Sequence, residues 1–477
     1  MTSARPNGAV AAVDLGATSG RVIIGRIEDD TLEMRHVARF ANDPVRTRDG
    51  LHWNILGLYR EALAGLASAE RDHPGEIASV GIDSWAVDYG LLRGARLLGA
   101  PFHYRDTRGA AAVSSAHKRV SAAELYARSG LQHLSFNTVF QLAAEGEMLA
   151  IADRMLLVPD LLTFWLTGEQ HAERTNASTT ALLDPVRHEW DVDLAERLGI
   201  PARLLPPLIE PGTLVGSFTP EVAAVVGRAI DVIAVASHDT ASAVAAIPAT
   251  TTDFAYISCG TWGLVGLELD APVITEAARA ANFTNEGGVF GTTRFLHNVV
   301  GTWLFSESLR HWEPGATDAQ RSSLLGELLS EAAGISGSVP VFDANDPQFL
   351  SPGDLPERIV RWFEARGEAA PRGRAAIVRS IVESLAVALA AAVRTACRLA
   401  SKSVSVIHIV GGGSQNTLLC QRLADHSGLT VLAGPTEATA MGNMLVQAQA
   451  LGWISSGLES LRAVAARSSM PVAYTPR

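Results

Sequence analysis

The sequence predicts an α/β protein of two domains, and three observations carry that expectation. At 477 residues the chain is longer than one hydrophobic core normally serves. Apolar β-branched runs alternate with segments of helical period. A strand–turn–strand plan occurs twice, first in "VAAVDLGATSGRVIIGRI" from Val10 to Ile27 and again in "FAYISCGTWGLVGLELD" from Phe254. In both, small polar residues around a glycine separate two apolar runs, which is a hairpin signal and, at the first, excludes a strand-to-helix phosphate loop. The repetition suggests an internal duplication in which each half opens with a hairpin. The stretch "IPATTTD", 247–253, then marks a boundary, giving an N-terminal domain of residues 1–247 and a C-terminal domain of 248–477.

Composition narrows the function classes. With 47% hydrophobic and 19% charged residues the chain is an ordinary globular one. The net charge of −11 is spread without long runs of one sign, so neither nucleic acid nor an anionic membrane is expected as partner, and a small molecule is. Cys259, Cys397 and Cys420 are too few and too scattered for a disulfide framework or a zinc site, which suits a reducing compartment. Near the N-terminus, Asp14 interrupts the apolar run of "MTSARPNGAVAAVDLGATSG" before an export signal can form. The apolar run "SLAVALAAAV", 384–393, lies between Glu383 and Arg394 and falls short of the roughly 20 residues that span a bilayer. A cytoplasmic monomer or homodimer is expected.

Taken in chain order, the first turn places Asp14, Thr18, Ser19, Gly20 and Arg21 together. Backbone amides and hydroxyls of such a turn can wrap phosphate, and Asp14 can hold a hydrated magnesium ion; a plain polar hairpin in which Asp14 bonds its own turn uses the same residues. "IASVGIDSWAVDYGLL" reads as a strand pair, and "LLTFWLTG" has helical spacing. "VIAVASHDTASAVAAI", 232–247, ends a strand at Ser237 and sets His238, Asp239 and Thr240 before an alanine-rich helix. A carboxylate at a strand's end can aim a ligand's hydroxyl and accept its proton. Helix capping suits the same aspartate. Ala241, Ser242 and Ala243 are small enough to leave room for a ligand. The second turn, with Ser258, Gly260 and Thr261, would clamp a polyphosphate if it faced the first.

Further on, "SIVESLAVALAAAVRTACRLA" is a helix, and "VSVIHIVGGGSQNTLLCQRLADHSGLTVLAGP" reads as strand, triple glycine at 411–413, helix from about Asn416, and strand. The glycines permit close backbone approach to a ligand, although a tight empty loop has the same needs. His52, Trp53 and Trp165 are read as packing or edge residues, His408 as a core histidine, and Cys259 as a small turn residue.

The segments "AVDLGATSGRV", "GIDSWAVDYGLL", "YRDTR", "LLTFWLTGE", "TNASTTALLD", "ASHDTASAV", "ISCGTWGL", "ANFTNEGG", "IVGGGSQNTLLCQRLAD" and "AGPTEATAMGN", spread in order from residue 12 to 443, resemble the FGGY carbohydrate kinases. "SHDTAS" and "TNEGG" point, within that family, to kinases of L-rhamnulose. The resemblance implies two RNase H-like domains of the actin and sugar kinase superfamily, with an interdomain cleft. The first would take the ketose and the second ATP, with Mg2+. It implies Asp239 as the base for the sugar 1-hydroxyl and Ala86, His238, Thr240 and Asn298 as sugar contacts. Ala17, Thr18, Ser19, Gly20, Arg21, Thr261, Ser306 and Gly412 would line ATP, and Asp14 would hold Mg2+ through water. Two positions depart from the family pattern: Trp85-Ala86 stands where Trp-Gly is usual, and Ser306 where glutamine is frequent near the nucleotide. Kinases of L-fuculose, L-ribulose or D-xylulose are the nearest alternatives, followed by a non-catalytic sugar or nucleotide sensor of the same fold.

Overall fold

The computed structural model describes residues 8–477. The first seven residues of the stretch read for export lie outside the described residues. Contacts divide the chain into two compact units, one of residues up to Thr250 with Glu268–Phe295 and Ala438–Ser469, the other of Thr251–Leu267, Leu296–Glu437 and Met470–Arg477. This division is interleaved, where the sequence reading placed one boundary at 247/248. Chemistry accounts for the returning segment Ala438–Ser469: its first helix, Ala438–Ala450, supplies one face of the first unit's sheet with a cover.

That sheet has six strands, in the order Leu214–Ser217, Asp231–Ile233, Ile77–Ser84, Ala9–Leu15, Ser19–Glu28, Thr31–Ala41. Ala9–Leu15 pairs antiparallel with Ser19–Glu28 and parallel with Ile77–Ser84, which is in turn parallel to Asp231–Ile233. Side chains alternate across a strand, so "AVAAVDL" must bury both faces: Ala11, Val13 and Leu15 join a core with Leu58, Leu66 and Leu162, while Val10 and Ala12 join another with Ala241, Met441 and Met444. A continuous apolar strand is the consequence.

"IASVGIDSWAVDYGLL" does form two strands, but they do not pair. Ile77–Ser84 stays in the large sheet, while Tyr89–Arg93 joins Arg96–Leu97 and Arg154–Leu157 in a separate one. Between them the chain is drawn aside: Ser84 N–H donates to Ser237 O at 2.9 Å, Trp85 N–H donates to Leu15 O at 3.2 Å, and Val87 takes a left-handed φ of 69°. "LLTFWLTG" lies in the helix Val158–Thr167, closed by the left-handed Gly168.

The second sheet repeats this plan in six of its seven strands, in the order Thr293–Val300, Trp262–Leu269, Phe254–Cys259, Val406–Val410, Thr430–Ala433, Val472–Tyr474. Again an antiparallel hairpin is followed by two parallel neighbours and an antiparallel edge strand. The duplication read from two short turns therefore extends to whole sheets. The run "SLAVALAAAV" is the middle of a longer helix than it suggested, Arg374–Ala400. Among the described residues it is the one helix long and apolar enough to cross a membrane, and 78% of its most apolar window is buried inside the protein, as in a core helix.

Candidate active site

In the first unit, three parallel or near-parallel chain segments bring three aspartates together. Asp14 sits beside Asp83 in the register of Ala9–Leu15 with Ile77–Ser84. An isolated parallel bridge joins Ser84 to His238, which sets Asp239 at the same end of the sheet. Asp14 is buried and ion-paired with Arg21, whose Nε and Nη2 each lie 2.9 Å from Oδ2. Asp83 is fully buried; its Oδ2 accepts from Asn443 Nδ2 at 2.6 Å, while Oδ1 has no hydrogen-bond partner among the described residues. Burial, and after it the charge of Asp14, push the Asp83 carboxyl well above the usual carboxylate range. The helix Ala438–Ala450 braces this floor: Gln447 Nε2 donates to Asn443 Oδ1 at 2.6 Å and to Ala11 O at 3.0 Å, and Ser79 Oγ donates to Gln447 Oε1 at 2.7 Å.

Asp239 opens the helix Asp239–Ala245 without capping it. The cap position belongs to His238, no side chain makes a cap hydrogen bond, and the Asp239 side chain is 30% exposed. Its Oδ1 accepts from Thr240 Oγ1 at 3.1 Å and lies 3.4 Å from His238 Nε2. The small residues after it do not leave room for a ligand as the sequence suggested. Ala241, Ser242 and Ala243 are all buried, the first two against the Ala438–Ala450 helix, where a Cβ on Gly442 would stand 1.8 Å from Ser242 O.

The other residues expected in this unit fall in two groups. Around the first turn, Thr18 is exposed and Ala17 and Ser19 are half-buried, so they are open to a ligand. Gly20 is buried and serves packing: a Cβ there would lie 2.2 Å from the Phe40 ring. Gly16 N–H closes the turn on Ser19 O at 2.9 Å, and Asn42 Nδ2 donates to Gly16 O at 2.8 Å. Ala86 is half-buried between Trp85 and the left-handed Val87, over an aromatic layer in which Trp53 packs on Trp85 and His103 with centroids 3.9 and 4.0 Å apart. Trp53 is thus a packing residue, as its pattern indicated.

The second unit gathers its expected residues around the turn at Gly260 and Thr261. Gly301 N–H and Trp303 N–H donate to Thr261 O at 3.2 and 3.3 Å, which places the start of the helix Trp303–Trp312, carrying Ser306, at that turn. The triple glycine lies against the preceding strand end: a Cβ on Gly413 would meet Cys259 Sγ at 2.2 Å, and Gly411 has φ 80°. Gly412 is exposed, with open space above it. The helix after the glycines, read as starting at about Asn416, runs over Thr417–Ser427 and is capped by Asn416. Asn298 is half-buried on Thr293–Val300. Cys259, read as a turn residue, is the buried last residue of the strand Phe254–Cys259, and burial pushes its thiol up to about 12; His408 is buried edge-on to Phe254.

Several polar residues that the sequence reading passed over are buried at the first unit's site. Asp88 accepts from the indoles of Trp53 at 2.6 Å and Trp85 at 3.0 Å, from Tyr104 N–H at 3.1 Å and from Gln141 Nε2 at 2.7 Å. Glu173 accepts from Ser237 N–H and Oγ at 2.9 and 2.8 Å, fixing the non-strand segment before His238; the strand read as ending at Ser237 is Asp231–Ile233 and stops four residues earlier. Glu286 and Arg294 flank His238 itself. Asp88 and Glu286 lie inside the quoted segments "GIDSWAVDYGLL" and "ANFTNEGG", while Glu173 and Arg294 lie in none of the quoted segments.

Comparison with known proteins agrees with this architecture. Residues 9–246 match the N-terminal domain, and residues 255–451 the C-terminal domain, of the FGGY family of carbohydrate kinases. A rhamnulokinase of Bacteroides thetaiotaomicron is 39% identical over 473 residues, covering 98% of this chain and 95% of that protein. A rhamnulokinase of Enterococcus faecalis is 38% identical over 454 residues, covering 92% and 89%. Among solved structures, a gluconate kinase of Lactobacillus acidophilus superposes with a TM-score of 0.79 at 16% identity, covering 98% of this chain and 94% of that one. Plasmodium falciparum glycerol kinase with ADP superposes with 0.75 at 15% identity, again covering 98% and 94%. These two likenesses speak for the fold alone. Matched in order through both halves, the chain belongs to the FGGY family of carbohydrate kinases, phosphotransferases that act on a sugar with ATP and generally a divalent metal ion.

Proposed function

We propose that this protein transfers the γ-phosphoryl group of ATP to the 1-hydroxyl of L-rhamnulose, with Asp239 as the general base. One observation carries the assignment of the base: Asp239 opens a helix yet makes no cap, keeping a partly exposed carboxylate next to two buried ones. In the reaction Asp239 takes the hydroxyl proton as that oxygen bonds to the γ-phosphorus, and ADP leaves with the electrons of the broken P–O bond. The naming of curated relatives as rhamnulokinases supports the choice of sugar.

In the first unit Ala17 to Arg21 are proposed for ATP and Ala86, His238 and Thr240 for the ketose; in the second Thr261, Ser306 and Gly412 are proposed for ATP and Asn298 for the ketose. Magnesium suits the acidic floor. Among the described residues no cluster of three metal-ligating side chains is close enough to hold an ion directly, but Asp14 and the unpartnered Asp83 Oδ1 can hold a hydrated one. Bound there with ATP, magnesium would neutralise charge on the phosphates. The reading extends to a cytoplasmic location, for which the three free thiols are the supporting observation, and to a monomer or homodimer without nucleic-acid or membrane partners, in keeping with a net charge of −11 spread without long runs of one sign.

The test is a coupled ADP assay over L-rhamnulose, L-fuculose, L-ribulose and D-xylulose, with wild type and Asp239→Asn. L-Rhamnulose should give the highest kcat/KM, and the variant should bind both substrates while losing about 10²- to 10⁴-fold in kcat. Preference for another ketose would reassign the sugar. Turnover of the variant near wild type would remove Asp239 as the base, and no turnover of any ketose by wild type would favour a sensor.

A further inference from the structure

His238 is held from behind by a buried ion pair. Arg294, whose side chain is fully buried, donates from Nε to Gly287 O at 2.8 Å and from Nη2 to His238 Nδ1 at 3.0 Å, and its Nη1 lies 3.1 Å from Glu286 Oε2. Glu286 Oε2 also approaches His238 Nδ1, at 3.3 Å. Two groups thus contend for one ring nitrogen, and their chemistry decides between them. A guanidinium has only N–H donors and stays protonated in proteins, so the nitrogen facing it at 3.0 Å must present a lone pair. A proton on Nδ1 would set N–H against N–H. Glu286 Oε2 then faces the guanidinium across 3.1 Å as an ion pair, without a hydrogen bond of its own among the described residues; burial acts to raise its carboxyl, but the charge of Arg294 and, after it, the neighbouring His238 bring it below its usual value.

With Nδ1 a lone pair, the ring proton sits on Nε2, which is the nitrogen 3.4 Å from Asp239 Oδ1. The Thr240 hydroxyl donates to that same oxygen at 3.1 Å. Resting on the reading of Asp239 as base, we infer that Arg294 is a positioning residue: it locks His238 as the Nε2–H tautomer, so that a ring N–H lies 3.4 Å from Oδ1, the oxygen that Thr240 already occupies, and Oδ2 is left as the atom that takes the sugar's proton. His238 and Thr240 then orient the base, a role distinct from touching the substrate. The backbone supports the clamp, because Ser178 Oγ accepts from Gly287 N–H at 2.7 Å and holds the hairpin from which Glu286 and Arg294 project.

The tautomer is measurable without substrate. In the uniformly 15N-labelled full-length protein near neutral pH, long-range proton–nitrogen correlation of the His238 ring, assigned by its loss in His238→Gln, should show a protonated Nε2 and a bare Nδ1. A protonated Nδ1, alone or with Nε2, overturns the clamp. In the charge-neutral double variant Arg294→Met/Glu286→Gln the tautomer preference should be lost and kcat fall about tenfold or more with the KM for ATP unchanged, and Arg294→Lys, which keeps a charged donor, should recover part of both. A folded double variant with wild-type tautomer and kcat overturns the inference equally. Failure of the two readings is distinguishable: an Nε2–H ring in a protein that phosphorylates no ketose sinks the kinase assignment and with it the role of Oδ2, whereas an Nδ1–H ring in an active kinase sinks the clamp alone.

Discussion

Asp88 shows how a buried carboxyl can be structural and still titrate in a useful range. Burial raises it to about 6, against hydrogen bonds from Gln141, Trp53, Trp85 and Tyr104 N–H. A folded-state value above the unfolded one means that the native protein holds an extra proton between roughly pH 4 and 6, so this group's contribution to stability falls as pH rises through that window and stays low above it. Asp88→Asn keeps an acceptor for the two indoles and lets the Gln141 amide turn to accept. Relative to wild type it should therefore gain stability on going from pH 4 to pH 7, by on the order of 2 kcal/mol, as read from denaturant midpoints. An unchanged difference between the two proteins across that range would show that Asp88 is ionised throughout. At this scale the sequence exposed Asp239, because His-Asp-Thr follows an apolar strand where no core residue is expected. It did not expose Asp83, Asp88, Glu286 or Arg294, since a polar residue within an apolar run looks the same whether its partner is water, a turn or an ion from a distant segment.

Between elements, the contact that matters most for the site is made by a glycine in the middle of a helix. By propensity alone, Gly442→Ala in the Ala438–Ala450 helix should stabilise by about 1 kcal/mol. The added Cβ would instead stand 1.8 Å from Ser242 O and 2.6 Å from its carbonyl carbon, both backbone atoms of the helix that begins at Asp239. Overpacking of this kind costs about 1–3 kcal/mol or more, so sterics should win and the net effect should be a loss. Urea unfolding will read the sign. Because Asn443 and Gln447 lie on the same helix and brace Asp83, turnover should fall in the same variant even where the protein remains folded. A neutral or stabilising result would mean that the two helices separate freely. Element types were legible at this scale: both hairpins, the glycine loop with the helix after it, and the long apolar helix follow from local pattern. Partnership was not, as the two strands of "IASVGIDSWAVDYGLL" show by joining different sheets.

The whole molecule consists of two units on the same sheet plan, with residues for phosphate proposed in each. A ligand that binds only the folded state stabilises it by RT ln(1 + [L]/Kd), about 2.7 kcal/mol at a hundredfold excess over Kd. Magnesium and ATP together should therefore raise the thermal midpoint by several degrees, and EDTA should shrink that rise while leaving the midpoint of the ligand-free protein unchanged. No shift with nucleotide at millimolar concentration would contradict the proposed ATP site, and a fall in the ligand-free midpoint with EDTA would indicate a structural metal instead.

By itself the sequence determined the α/β class, the duplicated hairpin openings and the family resemblance, because all three are written in local alternation of apolar residues and in short segments kept in order. Tertiary structure alone decided that Ala438–Ser469 returns to the first unit, that small residues after Asp239 pack against Gly442, and that Arg294 reaches the ring of His238. The physical reason is one of range. Strand and turn propensities act over a few neighbouring residues, whereas the partner of a buried charge and the fit of one backbone against another depend on where remote segments meet.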